Sequence, residues 1–244
     1  MIKGWRSRRW TLLGLVLLGF LAVRLIAGCT AAAPITLSIA MSGAEAERWA
    51  SLVETFEQQH PNIQVQIVEG PNNTDDLEKL YSQAFEQNSK RFDLVYADTI
   101  WVPHFAASGW LLDLSDRLPE ADLADFLPGD LNGGRYQGQL YRIPLRSDIG
   151  VLHYRKDLLS KAGLQPPSTF EDMMAIAKTL QSQQSAKWGY VWQGRPYEGL
   201  TAMFVEVLAG YGGFWLKPDT REIGLAQPEA IQAVNFLRRT IKDG

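Results

Sequence analysis

The residues of this chain that could do chemistry are mostly carboxylates and aromatic rings, and the stretch that arranges them most plainly is Phe92 to Leu114, FDLVYADTIWVPHFAASGWLLDL. Phe92, Leu94, Val95 and Tyr96 are bulky and β-forming, and a short apolar run bounded by polar residues suits a strand covered on both faces. Asp98 and Thr99 then end it. A carboxylate at the carboxyl end of a strand stands where open α/β sheets hold ligands, so Asp98 is a candidate acceptor for ligand hydroxyls. The same side chain would also serve as N-cap of the following helix, accepting a backbone N–H two or three residues on. The two roles are compatible.

Other chemistries find no support. His60, His104 and His153 are scattered without metal-ligand spacing. No Gly-x-Ser-x-Gly nucleophile elbow occurs, and Gly210-Tyr211-Gly212-Gly213 lacks the form of a phosphate loop. No cofactor and no metal are expected.

The elements that must position Asp98 can be read by period. Ile35, Leu37 and Ile39 alternate with Thr36 and Ser38, and Ile63, Val65 and Ile67 alternate with Gln64 and Gln66, so both read as strands. Between them Trp49, Leu52, Val53 and Phe56 fall at helical spacing until His60-Pro61-Asn62 stops the helix. This β-α-β unit predicts parallel strands with a right-handed crossover. Thr74 is the expected N-cap of a second helix burying Leu77, Leu80, Tyr81, Ala84 and Phe85.

Farther on, Arg135 to Tyr141 has the form of a hairpin with Gln137-Gly138 at its turn. The run Ile149 to Tyr154 is apolar and aromatic, and Lys156 to Ala162 is a short helix ended by Gly163. Pro166-Pro167-Ser168-Thr169-Phe170-Glu171-Asp172 opens a helix with a Ser-x-x-Glu or Thr-x-x-Asp capping box, and Met173, Ile176, Ala177 and Leu180 face inward. Trp188 to Trp192 reads as a strand, Gly199 to Ala209 as an apolar helix and Gln227 to Ile241 as an amphipathic one.

The amino terminus is of another kind. MIKGWRSRR leads into the apolar run Trp10 to Val23, which is short for a membrane span of ~20 residues and reads as an export signal over residues 1–28. Ile26-Ala27-Gly28-Cys29 resembles a bacterial lipobox, which makes Cys29, the only cysteine, a candidate for lipidation and anchoring at the outer face of the cytoplasmic membrane. Arg24 departs from the charge-free region such signals carry, and an uncleaved anchor helix with an incidental cysteine is the alternative. The chain holds 24 basic and 27 acidic residues, five of the basic ones before residue 29. The remainder, 19 against 27, has a balance of −8. That acidity argues against nucleic acid, whose binding rests on Lys and Arg neutralising phosphates.

Several segments in order resemble the extracellular solute-binding proteins of ABC sugar importers: Gln58-Gln59-His60-Pro61, the group Asp93, Asp98, Trp101, Phe105-Ala106, Gly109 and Leu111, then Ile143-Pro144 with Leu152-His153-Tyr154-Arg155-Lys156-Asp157-Leu158-Leu159. Pro166 to Asp172 and Gln193-Gly194-Arg195-Pro196-Tyr197-Glu198-Gly199-Leu200 continue the match, the last looking like trehalose and maltose binders in particular. The resemblance implies a two-lobed α/β fold of the type II periplasmic-binding-protein kind. It divides the chain into a signal at 1–28, an amino-terminal lobe at 29–143 and a carboxyl-terminal lobe at 144–244, with a first crossing near Ile143 to Asp148. Family members are substantially longer, so both lobes are expected to be incomplete and the carboxyl-terminal part missing, as in a fragment or a truncated product. Apolar surface left uncovered would make residues 30–244 alone only marginally stable, at about 25 cal/mol for each Å² not buried.

A pyranose offers hydroxyls at its rim and C–H groups on its faces, so a sugar site needs carboxylates for the one and aromatic rings for the other. The resemblance puts Glu45, Asp98, Asp148, Tyr197 and Glu198 around the sugar, while Trp101 and Trp192 read as core. It implies a monomer that captures a small oligosaccharide and hands it to ABC permease subunits, held outside the cytoplasm by a lipid anchor. An exported glycosidase, which would also use paired carboxylates, and a relic that has lost its cleft are the competing readings.

Overall fold

Strand β1 (Ile35–Ser42) is the centre of a three-stranded parallel sheet. It pairs with β2 (Ile63–Gly70) over eight positions, from Ile35 against Ile63 to Ser42 against Gly70, and on its other side with the short β3 (Leu94–Val95). The computed structural model describes residues 33–217 and 220–242; the expected signal segment and Cys29 lie outside them. Two units can be distinguished, one of residues 33–70 with Asn88–Tyr96 and the other of Pro71–Gln87 with 97–242.

The sheet belongs to the first unit. Parallel pairing of β1 and β2 bears out the β-α-β reading, and helix α1 (Gly43–Gln59) connects them, capped by Ser42 and stopped at His60. In β2, Ile63, Val65 and Ile67 are half-buried and alternate with exposed Gln64 and Gln66, as an edge strand with one covered face should. In β1 the alternation fails: Ile35 is exposed, whereas Ser38, Ile39, Ala40 and Met41 are all buried. A central strand is covered on both faces, so its polar Ser38 needs partners. Its amide and hydroxyl both donate to the Asp93 carboxylate, at 2.9 and 2.8 Å. The strand expected over Phe92 to Tyr96 shrinks to two residues, and Leu94 is exposed instead of covered. Only β1 pairs with it among the described residues, so it lacks the second neighbour that would bury its other edge.

The second unit is mostly helical. Helix α2 (Thr74–Glu86) buries Leu77, Tyr81 and Ala84. Its Phe85 ring meets Phe105 and Trp110 at 6.0 and 5.7 Å, Phe105 belonging to α3 (Val102–Ala107). Short helices α4 (Glu120–Leu123) and α5 (Pro128–Asn132) precede the hairpin of β4 (Arg135–Tyr136) and β5 (Gln139–Leu140). Its turn is Gln137-Gly138, with φ of 50° and 86°, the left-handed pair that a two-residue turn between twisted strands requires. Then follow α6 (Lys156–Lys161), α7 (Phe170–Ser182), α8 (Glu198–Gly210) and α9 (Pro228–Lys242).

Helix α7 opens on the Thr169–Asp172 capping box and buries Met173, Ala177 and Leu180. With Val207 and Leu208 of α8 and Ala230, Ala233, Phe236 and Leu237 of α9, Met173 forms the core of this unit. Trp101 is buried as expected, and Trp192 packs against this core with its indole N–H donating to Thr240 at 2.9 Å. Trp188 to Trp192 does not form the expected strand. Trp188 and Val191 are exposed and, with Val151, Tyr154 and residues of α7 and α8, line an open, largely apolar trough of about 930 Å³.

Candidate functional site

The second helix begins one residue earlier in its cap than the sequence suggested, and this shift makes a site. Asn73, not Thr74, is the N-cap of α2, its side-chain oxygen accepting from the amides of Asp75 and Asp76 at 2.8 and 3.4 Å. An amide oxygen in the extended position before the first turn reaches those donors as well as a threonine would. Thr74 is thereby released, and its hydroxyl donates to Glu198 Oε2 at 3.4 Å. Asp75 accepts the backbone N–H of Glu198 on Oδ1 at 3.3 Å.

Glu198 opens α8, where its own unsatisfied amides favour a carboxylate. Burial raises its proton affinity first, and the charges of Asp98 and Asp75 raise it further; the Thr74 hydroxyl offsets part of this. Three carboxylates and a hydroxyl therefore gather from α2, from the turn after β3 and from the start of α8. Carboxylates with accepting capacity left over form strong, charge-assisted hydrogen bonds to hydroxyl donors.

Asp98 also serves as the N-cap that its place before a helix predicts. It caps a 3-10 turn over Thr99–Trp101, with Oδ1 accepting the Ile100 amide at 3.3 Å. The carbonyl just before it, on Ala97, accepts from Arg142 Nε at 3.0 Å. Arg142 Nη1 is buried and has no hydrogen-bond partner among the described residues. A buried donor left unmatched is costly, about 1 to 3 kcal/mol.

The other three predicted residues have partners of their own. Tyr197 is the extended residue before α8, and its hydroxyl donates to Gln193 Oε1. Asp148 projects into solvent with its side chain 83% exposed and pairs with Arg146 at 3.3 Å. Glu45 belongs to the first unit, in the first turn of α1. It forms an ion pair with Arg48 at 2.8 Å and accepts the Tyr96 hydroxyl at 3.2 Å. The Tyr96 ring meets Trp49 edge-on at 6.0 Å. Within its own unit Glu45 thus holds one ring of an aromatic pair, a combination that suits one edge and one face of a sugar.

Sequence reasoning took Thr74 only as a cap and passed over Asp75, Arg142, Trp49 and Tyr96. Asp75 was the most accessible of these, because an acid in the first turn of a helix is an ordinary N-terminal feature. Nothing local marks Arg142, whose partner is 45 residues away. No group of acidic, histidine or cysteine side chains among the described residues could hold a metal ion. No described helix is long and apolar enough to cross a membrane.

This arrangement has relatives. A probable ABC transporter-binding protein of Deinococcus radiodurans is 31% identical over 182 residues, 72% of this chain and 43% of that protein. A mannitol-binding protein of Pseudomonas aeruginosa is 27% identical over 232 residues, 89% of this chain and 52% of that one. Among solved structures, maltose-bound T. maritima MalE3 superposes with a TM-score of 0.78 at 31% identity, covering 85% of this chain and 53% of its own. The chain thus spans about half the length of the relatives it matches, and its α/β fold is that of the type II periplasmic binding proteins. The two curated relatives are named as binding proteins, the Deinococcus one of an ABC transporter, and not as enzymes, which removes the glycosidase reading. The model of the bacterial extracellular solute-binding proteins matches residues 42–244, nearly everything beyond the amino-terminal segment, and the chain belongs to that family.

Proposed function

We propose that this chain belongs to the substrate-binding component of an ABC sugar importer, and that the component captures a small gluco-oligosaccharide of the trehalose or maltose class. The observation that carries this reading is the carboxylate group of Asp75, Asp98 and Glu198 with Thr74. Its acceptors suit neutral, hydroxyl-rich ligands and offer nothing to an anion. Asp98, Glu198, Glu45, Asp148 and Tyr197 are the proposed ligand contacts, the first two foremost.

In this reading residues 29–143 and 144–244 contribute to two lobes that close on the sugar. A ligand touching both stabilises the closed form by its differential affinity for it, which is the signal a permease can sense. The component works outside the cytoplasm as a monomer, tethered by a lipid on Cys29. The maltose seen in one relative and the mannitol named in another support a hydroxylated ligand.

Thermal melting of the full chain with maltose, trehalose and mannitol tests it. A sugar at a hundred times its Kd should raise the midpoint by roughly 5 to 10 °C. No shift with any of the three would remove the proposal for this chain.

A further inference from the structure

The turn that carries Asp98 is gripped from one place. Arg142 follows the β4–β5 hairpin, and its Nε holds the Ala97 carbonyl at 3.0 Å, on the peptide group next to Asp98. The arginine is itself tied at the base of the hairpin, where the amides of Tyr141 and Arg142 both donate to the Gly134 carbonyl at 2.9 and 3.2 Å. A Cβ on Gly134 would collide with the Arg142 carbonyl, so the close approach depends on glycine there. The neighbouring Gly133 admits the methyl of Thr99, which would lie 2.6 Å from any Cβ at that position. Residues on both sides of Asp98 are thus held by one short segment, Ala97 through a guanidinium and Thr99 through a methyl contact.

The guanidinium is only partly used. Nε is engaged, while Nη1 is buried and unmatched among the described residues. Guanidinium donors are fixed in a plane and cannot turn away to find an acceptor. An acceptor brought in by a ligand, such as a sugar hydroxyl oxygen, would relieve that mismatch only in the bound state. We infer that Arg142 is a positioning residue for ligand capture: through Nε it aims Asp98, and through Nη1 it offers a donor to a hydroxyl of the bound sugar. The inference rests on the sugar-binding reading for its second half, and on geometry alone for its first.

Two variants test it, Arg142→Met, which keeps the buried stem without donors, and Arg142→Lys, which keeps the charge without the planar fork. Amide hydrogen exchange at Ile100, whose N–H caps onto Asp98, reports the positioning without any sugar. Both variants should speed that exchange by about tenfold while amides of the α7–α9 core stay at wild-type rates. Calorimetric titration with maltose should show an affinity loss of at least about tenfold for each variant. In an Asp98→Asn background the part of that loss transmitted through Asp98 should vanish, so the further loss should be smaller than in wild type, because two residues that act through one another are not additive.

Unchanged Ile100 exchange in both variants overturns the positioning role. Faster exchange with unchanged maltose affinity overturns the ligand role. A wild-type chain that binds no sugar removes the sugar-binding reading and the Nη1 half with it, and leaves Ile100 exchange alone to decide whether Arg142 aims Asp98. A merely structural arginine would lower the stability of the core amides as well and show full additivity with Asp98→Asn.

Discussion

Residues 35–42 and 188–192 carry the same kind of β signal and come to different ends. The first becomes the middle strand of a sheet, with Ala40 and Met41 wholly buried and neighbours on both sides. The second stays outside any strand of the described residues, with Trp188 63% and Val191 78% exposed. Ile149 to Tyr154 behaves like the second. A strand is a property of pairs: its N–H and C=O groups need a neighbour, and β-forming side chains need a surface to pack on. Residues 35–42 find both within about 60 residues of chain. The second unit offers 188–192 helices on one side and an open trough on the other.

The largest effect that could break this contrast is a charge placed in each segment. Ile39→Asp puts an unpaired carboxylate at a position 4% exposed and should cost more than about 4 kcal/mol, enough to unfold the first unit. Val191→Asp should change stability by no more than about 0.5 kcal/mol. Urea unfolding of both would decide it, and a loss above about 2 kcal/mol for Val191→Asp would mean that its segment is covered after all. A smaller effect sharpens the comparison at the helices that the second unit relies on: Thr169→Ala removes half of the capping box and should lower stability by about 1 kcal/mol. An unchanged urea midpoint would show that α7 is held by its packing alone.

The smallest expected effect is a difference in pH dependence between carboxylates of the two units. Asp93, in the first, is held below its ordinary 3.8 by the Ser38 amide and then its hydroxyl. Its contribution is therefore present above that pH and lost as pH falls through the lowered value. Glu198, in the second, is pushed above 4.5 by burial and then by Asp98 and Asp75. Its contribution is present below 4.5 and lost as pH rises through the raised value. Glu198→Gln should therefore gain stability relative to wild type as pH climbs through 4.5 toward neutrality, while Asp93→Asn should lose it as pH climbs from the lowered value to 3.8. Parallel curves for Glu198→Gln and wild type would show that its carboxyl is not desolvated in solution.

What the sequence made legible was local chemistry. The stop at His60, the turn at Gln137-Gly138, the left-handed Gly163 and the Thr169–Asp172 box each depend on residues within four positions, and each stands in the structure. What it hid depends on distant neighbours. The length of β3, the failure of 188–192 to pair and the burial of Ser38 are set by which segments lie alongside. The site divides in the same way. Asp98 was readable from its place after a strand, and its capping role with it. Glu198 came only through a family resemblance. Its partners Thr74 and Asp75 lie more than 120 residues away, and no spacing rule connects them. Asp148, read from the presumed hinge, turns out to be solvated beside Arg146.

The central claim is that the carboxylate on the turn after β3 takes hydroxyls of a sugar. Titration calorimetry of wild type and Asp98→Asn with maltose and trehalose, alongside their melting curves without sugar, tests it most directly. Because each charged hydrogen bond is worth about 1.5 to 3 kcal/mol, the variant should bind at least about tenfold more weakly, and its melting point should move little because asparagine remains a good cap. Equal affinity in the two proteins would leave Asp98 as a cap and contradict the account.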